Sequence, residues 1–245
     1  MVSKIIFLMA DYSHGPTETA IPWVIFHEAD FEIHFATESG KPPVCDEKML
    51  SGWTGALLGA SKAAKSAYQT LSCNENFRNP RAWTEPAFNL DSYDLVFLPG
   101  GHDKAVQLVI DSRNVHHHVA SYFPKTRKPS SKCVAAICHG VQVLASSSLP
   151  DGRSIIHDVQ TTALPAFLEE NYYKTYGAGT DSVEKIVRES LDENSQFKNS
   201  YNPTSTFVVH DLTYNYLSAR FPPDAELLTQ KAVELVNEAC GTSKA

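Results

Sequence analysis

A thiol, an imidazole and a glycine stand side by side at Cys138-His139-Gly140, where one apolar run ends and another begins at helical spacing. The stretch Ala136-Ile137-Cys138-His139-Gly140 places small residues two before and two after the cysteine, the layout of a nucleophile elbow. A strand that turns directly into a helix must reverse tightly. Its central residue is forced into a strained backbone conformation, and only small neighbours let the two backbones approach. Such a turn presents the sulfur beyond the sheet, at the first turn of the following helix, where unpaired N–H groups and the helix dipole favour a thiolate. The competing reading is that a cysteine among Ala and Val is a small buried hydrophobe. That reading is assigned to Cys133 and Cys240, and to Cys45 and Cys73; the strand-to-helix junction sets Cys138 apart.

A thiolate that attacks a carbonyl needs donors for the developing oxyanion. Pro99-Gly100-Gly101 supplies two residues without a Cβ, so backbone N–H groups can face a small substrate, and the N–H groups of Gly101 and His139 make a candidate hole. A plain turn is the alternative for this loop, and the cysteine beside it tips the balance. His102 lines the same pocket or caps the next helix. His139 is the natural base, although neighbours at a helix start diverge by ~100°, so its ring reaches sulfur only if the elbow bends it back. Tyr12 and His14 lie on a loop that could touch substrate. The triplet His116-His117-His118 is a poor chelator, because adjacent residues point to different sides of a helix; a solvated surface is the expectation, and no metal is assigned. The aromatic run 172–177 is read as packing a loop or a contact between copies.

Strands that alternate with helices must position these groups. Residues 4–9, 31–36, 93–98, 133–137, 154–156, 206–210 and 214–219 read as strands. Residues 16–28, 57–71, 106–110, 115–123, 139–147, 161–169, 183–191 and 224–239 read as helices. Most strands are continuous apolar runs, which implies a mostly parallel sheet covered on both faces. Ligands of such sheets bind beyond the carboxyl ends of the strands, and that rule selects the loops 10–18, 99–103 and 138–140. Residues 44–90 are less regular and read as an insertion draped over the sheet edge of a single domain, 1–245.

The chain has 245 residues, 42% of them apolar, enough for one large core. A net charge of -7 argues against sequence-independent nucleic-acid binding, which needs a basic face. No segment approaches the ~18 unbroken apolar residues of a membrane helix, and the short apolar run at residues 5–9 is no secretory h-region. Five cysteines without a CxxC suggest neither a disulfide framework nor zinc. The chain is read as intracellular, cytoplasmic with the nucleus as a second compartment. No nucleotide-binding glycine motif occurs, and no cofactor is assigned.

Leu98-Pro99-Gly100-Gly101-His102 followed by Ala136-Ile137-Cys138-His139-Gly140 resembles the ThiJ/PfpI superfamily. That group takes in a parkinsonism-associated deglycase, PfpI-type cysteine peptidases and glutathione-independent glyoxalase/stress-chaperone proteins, and is related to class I glutamine amidotransferases. The likeness runs from residue 3 to about residue 165, and more loosely to the C-terminal helix. It implies a flavodoxin-like three-layer α/β sandwich, class I glutamine amidotransferase-like, and a homodimer. Glu18 is similar in position to the family's acidic partner of the cysteine; on sequence alone it would be a solvated first-turn residue favourable to the helix dipole. A carboxyl buried against a thiolate would have its pKa raised, and once protonated it could donate to sulfur or shuttle a proton to carbon. The resemblance further implies a carboxylate that orients His139. The chain departs there, with Val159-Gln160-Thr161-Thr162 where the glyoxalase branch carries Glu. Asp158 is a substitute, and so is no orienter at all.

The resemblance implies an enzyme for small reactive carbonyls, converting methylglyoxal to lactate through a hemithioacetal on Cys138, or a related deglycase. A cysteine hydrolase, amidase or hydratase on the same site is the second reading. A non-enzymatic stress chaperone or redox sensor is the third.

Overall fold

The computed structural model describes residues 2–50, 60–101, 103–172 and 182–241. Strands β1 (Lys4–Leu8), β6 (Leu95–Leu98) and β7 (Cys133–Ile137) are buried along their whole length apart from Lys4. They therefore read as unbroken apolar runs and not as alternating ones. With β3 (Glu32–Thr37), β5 (Arg81–Ala82), β8 (Val208–His210) and β9 (Tyr216–Ala219) they form a seven-stranded sheet in the order β5-β3-β1-β6-β7-β9-β8. Every pairing is parallel except β8–β9 at one edge. Strand β2 (Tyr12–His14) pairs separately with β4 (Val44–Cys45).

Helices cover both faces. On one, α1 (Pro16–Glu28) packs against α2 (Lys62–Leu71) and α9 (Ala225–Ala239), while α3 (Glu75–Arg78) lies on β3. On the other, α6 (His139–Ala145) sits on β6 and β7 among α4 (Gln107–Ile110), α5 (Arg113–Tyr122) and α8 (Val183–Glu189); α7 (Ala166–Tyr172) packs on α8. The three-layer α/β sandwich is therefore the architecture of this chain. Its core is aromatic at the centre, with the Phe7 ring 5.1 Å from Phe35 and 4.7 Å from Phe97.

The chain leaves β1 for β3 on one side and returns to β6 on the other. The connections that leave β1 and β6 therefore run to opposite faces of the sheet, the arrangement beside which open α/β sheets bind ligands. Cys138 lies one strand further along, at the end of β7.

Several elements differ from the sequence reading. Residues 154–156 make no strand; only Ser154 bridges, to Ser148. The helix expected from residue 161 starts at Ala166. Residues 161–165 stay extended because the Thr162 N–H donates to Ser218 Oγ, Thr161 pairs with Phe197, and Pro165 follows. Strand β6 starts at Leu95, since the Tyr93 N–H closes a turn on the Leu90 carbonyl. The expected start of α2, residues 57–59, lies outside the described residues, as does the aromatic run from residue 173 onward. Strands β2, β4 and β5 carry no apolar alternation and were absent from the sequence reading.

Candidate active site

Cys138 sits between β7 and α6 with φ 58° and ψ −126°. A non-glycine residue held there stores about 1–3 kcal/mol. Neighbouring contacts hold the turn in place. The Cys138 N–H donates to the Ala219 carbonyl at 3.1 Å, and the Val141 N–H donates to the Cys138 carbonyl at 3.2 Å. Gly140 packs directly on the end of β6, where a Cβ would lie 2.1 Å from the Leu98 carbonyl oxygen. The small residue after the cysteine is thus a packing requirement, as the elbow argument expects.

Glu18 stands in the first turn of α1, behind Pro16, and its side chain is fully buried. Gly100 is the hinge of the site. A Cβ there would lie 2.7 Å from Cys138 Cβ, 2.8 Å from Glu18 Oε2 and 3.0 Å from the His139 nitrogen. The Gly15 N–H donates to the Gly100 carbonyl at 2.8 Å, tying the start of α1 to the glycine loop. Gly101 packs its open α-carbon side on the Ser13 carbonyl, where a Cβ would lie 2.3 Å from the oxygen, and bridges to His14 on β2. The loops after β1, β6 and β7 therefore meet at Gly100. His102 lies outside the described residues.

Burial pushes the Glu18 pKa up from 4.5 to about 8, outweighing the Cys138 thiol and the Gly100 backbone, which favour the ionised carboxylate. Those contacts fall short of hydrogen-bond geometry, and both carboxyl oxygens remain unpartnered. Burial also pushes the Cys138 thiol well up, with the Glu18 charge acting in the same direction and the His139 backbone N–H against it. The helix-start amide thus acts as the sequence argument expects, but dehydration overrides it. The expected outward-facing, partly ionised sulfur is corrected to a buried thiol beside a buried carboxyl. In so dry a place two negative charges cannot coexist cheaply, and the two groups titrate as a pair.

The His139 ring does bend back. Its Nδ1 lies 3.4 Å from Cys138 Sγ. Its Nε2 lies 3.8 Å from Glu169 Oε1, longer than a hydrogen bond but within ion-pair reach once the imidazole is protonated. Burial lowers the His139 pKa to about 4, so the ring is neutral at pH 7 and able to accept a proton. The side chains of His139 and Glu169 keep 14% and 16% exposure, so they form the open side of the constellation. Sequence reasoning missed Glu169. Glu169 and Glu170 are adjacent and alike in sequence, and the tertiary contact with the Val183 N–H that holds Glu169 near His139 has no local signal. Asp158 is placed elsewhere, accepting from the Tyr214 hydroxyl at 3.0 Å and lying 3.8 Å from Arg127. A turn at residues 155–158, overlapping the strand expected at 154–156, carries it to that surface.

The remaining candidates separate from this cluster. His14 is buried, its ring beside Tyr68 and Phe77, with neither nitrogen partnered. Tyr12 is exposed. His116 and His118 are half-buried and bond the backbone carbonyls of Ile110 and Trp83, and only His117 fits the expectation of a solvated surface. Among the described residues no group of three His, Cys, Asp or Glu could hold a metal ion, and no helix is long and apolar enough to cross a membrane. Cys133 and Cys45 are buried as small hydrophobes, whereas Cys73 is exposed and Cys240 half-buried, contrary to the sequence reading.

Comparison with known proteins follows the same outline. Two uncharacterised proteins of Schizosaccharomyces pombe are 26% and 22% identical, covering 96% and 95% of this chain and 85% and 77% of their own lengths. Among solved structures, glyoxalase III from Candida albicans superposes with a TM-score of 0.66 at 13% identity, over 95% of this chain and 97% of that one. Drosophila melanogaster DJ-1β gives 0.56 at 16% identity, over 99% and 97%. These likenesses show the fold. The model of the ThiJ/PfpI family-like proteins matches residues 9–189, the span from the end of β1 to the end of α8, and the chain belongs to that family.

Proposed function

We propose that this protein converts small 2-oxoaldehydes such as methylglyoxal to 2-hydroxy acids, without glutathione, through a covalent intermediate on Cys138. One observation carries the reading: a fully buried Glu18 carboxyl, unpartnered and with a pKa of about 8, faces the buried thiol. An acid held near the working pH can both give and take a proton during turnover.

The sulfur adds to the aldehyde carbon, and the carbonyl oxygen takes up a proton to give a hemithioacetal. Glu18, in its ionised state, removes the hydrogen from that carbon, and the electron pair passes through an enediolate. Protonation of the adjacent carbon gives the lactoyl thioester, with no net oxidation. His139, neutral at pH 7, then takes a proton from water, which attacks the thioester and returns the thiol and lactate. Backbone N–H groups at Gly101 and His139 suit the transient oxyanions, Gly100 lets substrate approach the sulfur, and Glu169 is suited to stabilise the imidazolium. The balance is one methylglyoxal and one water to one lactate.

Glu169 beside His139 also favours a second reading, hydrolysis of an amide or thioester by a Cys-His-Glu set on the same site. The raised thiol pKa disfavours a peroxide sensor, which works best as an accessible thiolate. The test is lactate formed from methylglyoxal by purified protein in the absence of thiols, beside a panel of amides. Lactate formation lost in Cys138→Ala and reduced in Glu18→Gln is the expected result. Wild-type turnover no faster than that of Cys138→Ala would end the proposal.

A further inference from the structure

Two carboxylates exchange places between α7 and α8. Glu169, on α7, accepts the Val183 N–H at 2.8 Å through Oε2, leaving Oε1 toward His139. Glu184, on α8, accepts the Ala166 N–H at 2.9 Å through Oε2. Each acid thus occupies the amide that opens the other's helix, and the two crossed bonds fix how the helices sit side by side. Glu184 is itself anchored. Its Oε1 accepts from Arg188 Nε at 3.0 Å and from the Tyr201 hydroxyl at 3.0 Å, and forms an ion pair with Arg188, whose Nη2 lies 2.9 Å away. The Arg188 guanidinium in turn lies 4.2 Å over the Phe197 ring. Glu184 is buried, so its three charge-assisted hydrogen bonds and its ion pair with Arg188 are sheltered from water.

We propose that Glu184 is a positioning residue that holds Glu169 at His139, a role that rests on the reaction proposed above. A seven-residue helix such as α7 is too short to hold its own orientation. A small rotation about its axis would carry Oε1 beyond the 3.8 Å at which it meets the imidazole. The crossed carboxylates remove that freedom, and the Arg188–Tyr201 anchor prevents Glu184 from swinging to solvent.

The experiment is a double-mutant cycle with Glu184→Gln and Glu169→Gln in the full chain. The glutamine keeps the shape and removes the charge. We expect Glu184→Gln to lower kcat for methylglyoxal about tenfold with KM unchanged, the size of loss that slight misplacement of a catalytic group gives. In the Glu169→Gln background the same change should have less than about twofold effect, because the group it positions is already gone. Tyr201→Phe, which removes one of the three hydrogen bonds, should act in the same direction and less. A second readout is the His139 ring carbon–proton resonance at pH 7, expected to move in Glu184→Gln as it does in Glu169→Gln. Wild-type kcat in Glu184→Gln, or a loss that multiplies with that of Glu169→Gln, overturns the proposal. Should the wild type make no lactate, the reaction falls, and the resonance alone decides whether Glu184 positions Glu169.

Discussion

Replacing Glu18 by glutamine should make the protein more stable at neutral pH, and the gain should grow with pH. The Glu18 carboxyl has a pKa of about 8 in the fold against 4.5 in the unfolded chain. Below pH 4.5 both states hold the proton and the residue contributes nothing. Between pH 4.5 and 8 the unfolded chain gives the proton up while the fold retains it, so stability falls as pH rises. At pH 7 that interval is about 2.5 pH units, and at about 1.4 kcal/mol for each the wild type has lost about 3 kcal/mol. The loss levels off near 5 kcal/mol, roughly, above pH 8. Glutamine has no proton to lose and escapes this. The buried His139 and His14 titrate in both proteins and cancel from the difference. Urea unfolding of the two proteins at pH 4, 5.5, 7 and 8 gives the difference directly. Equal stabilities at pH 4, parting by about 1 kcal/mol per pH unit, are expected. A difference that stays flat across this range, within about 0.5 kcal/mol, refutes the burial argument and with it the reason for treating Glu18 as a poised acid.

Two further outcomes follow from the same geometry. His14 is held to a pKa of about 3 by burial, so the fold resists protonation that the unfolded chain accepts below pH 6.5, and stability is lost on acidification. His14→Phe should leave melting at pH 8 little changed and raise it relative to wild type at pH 5, by about 2 kcal/mol; the opposite trend would show the ring to be charged in the fold. Gly140→Ala would push a Cβ into the Leu98 carbonyl, costing about 1–3 kcal/mol in urea unfolding and displacing the elbow enough to depress turnover. A fully active, equally stable alanine variant would contradict the close packing of α6 on β6.

The reach of sequence reasoning in this chain follows the range of the forces. Strand β7 and helix α1 have the bounds expected, because burial on both faces and Pro16 at the first turn are local signals. The elbow at Cys138 was equally legible, since small residues at fixed offsets report a backbone clash. Strand β2 was not, as it pairs with a segment 31 to 32 positions away. Glu169 was hidden for a related reason. It lies 30 positions from His139 and is held by the Val183 N–H, while a hydrogen bond from Thr162 to Ser218, 56 residues on, helps delay the start of its helix to Ala166. The ionisation of Cys138 was misjudged because a helix start is visible in sequence and the depth of the surrounding protein is not.

The central sheet ends at one side in the two-residue β5 and at the other in the three-residue β8. Such stubs expose few free amides and carbonyls, and along the part of β3 that β5 leaves unpaired the Asn76 amide occupies the Ile33 carbonyl at 2.8 Å, so little is left to template the addition of another molecule. Growth into fibrils by border-to-border accretion is thereby discouraged, although the interior is rich in branched and aromatic residues. A pairing of two copies through these stubs would gain few ladder bonds, which favours helices and loops as the contact.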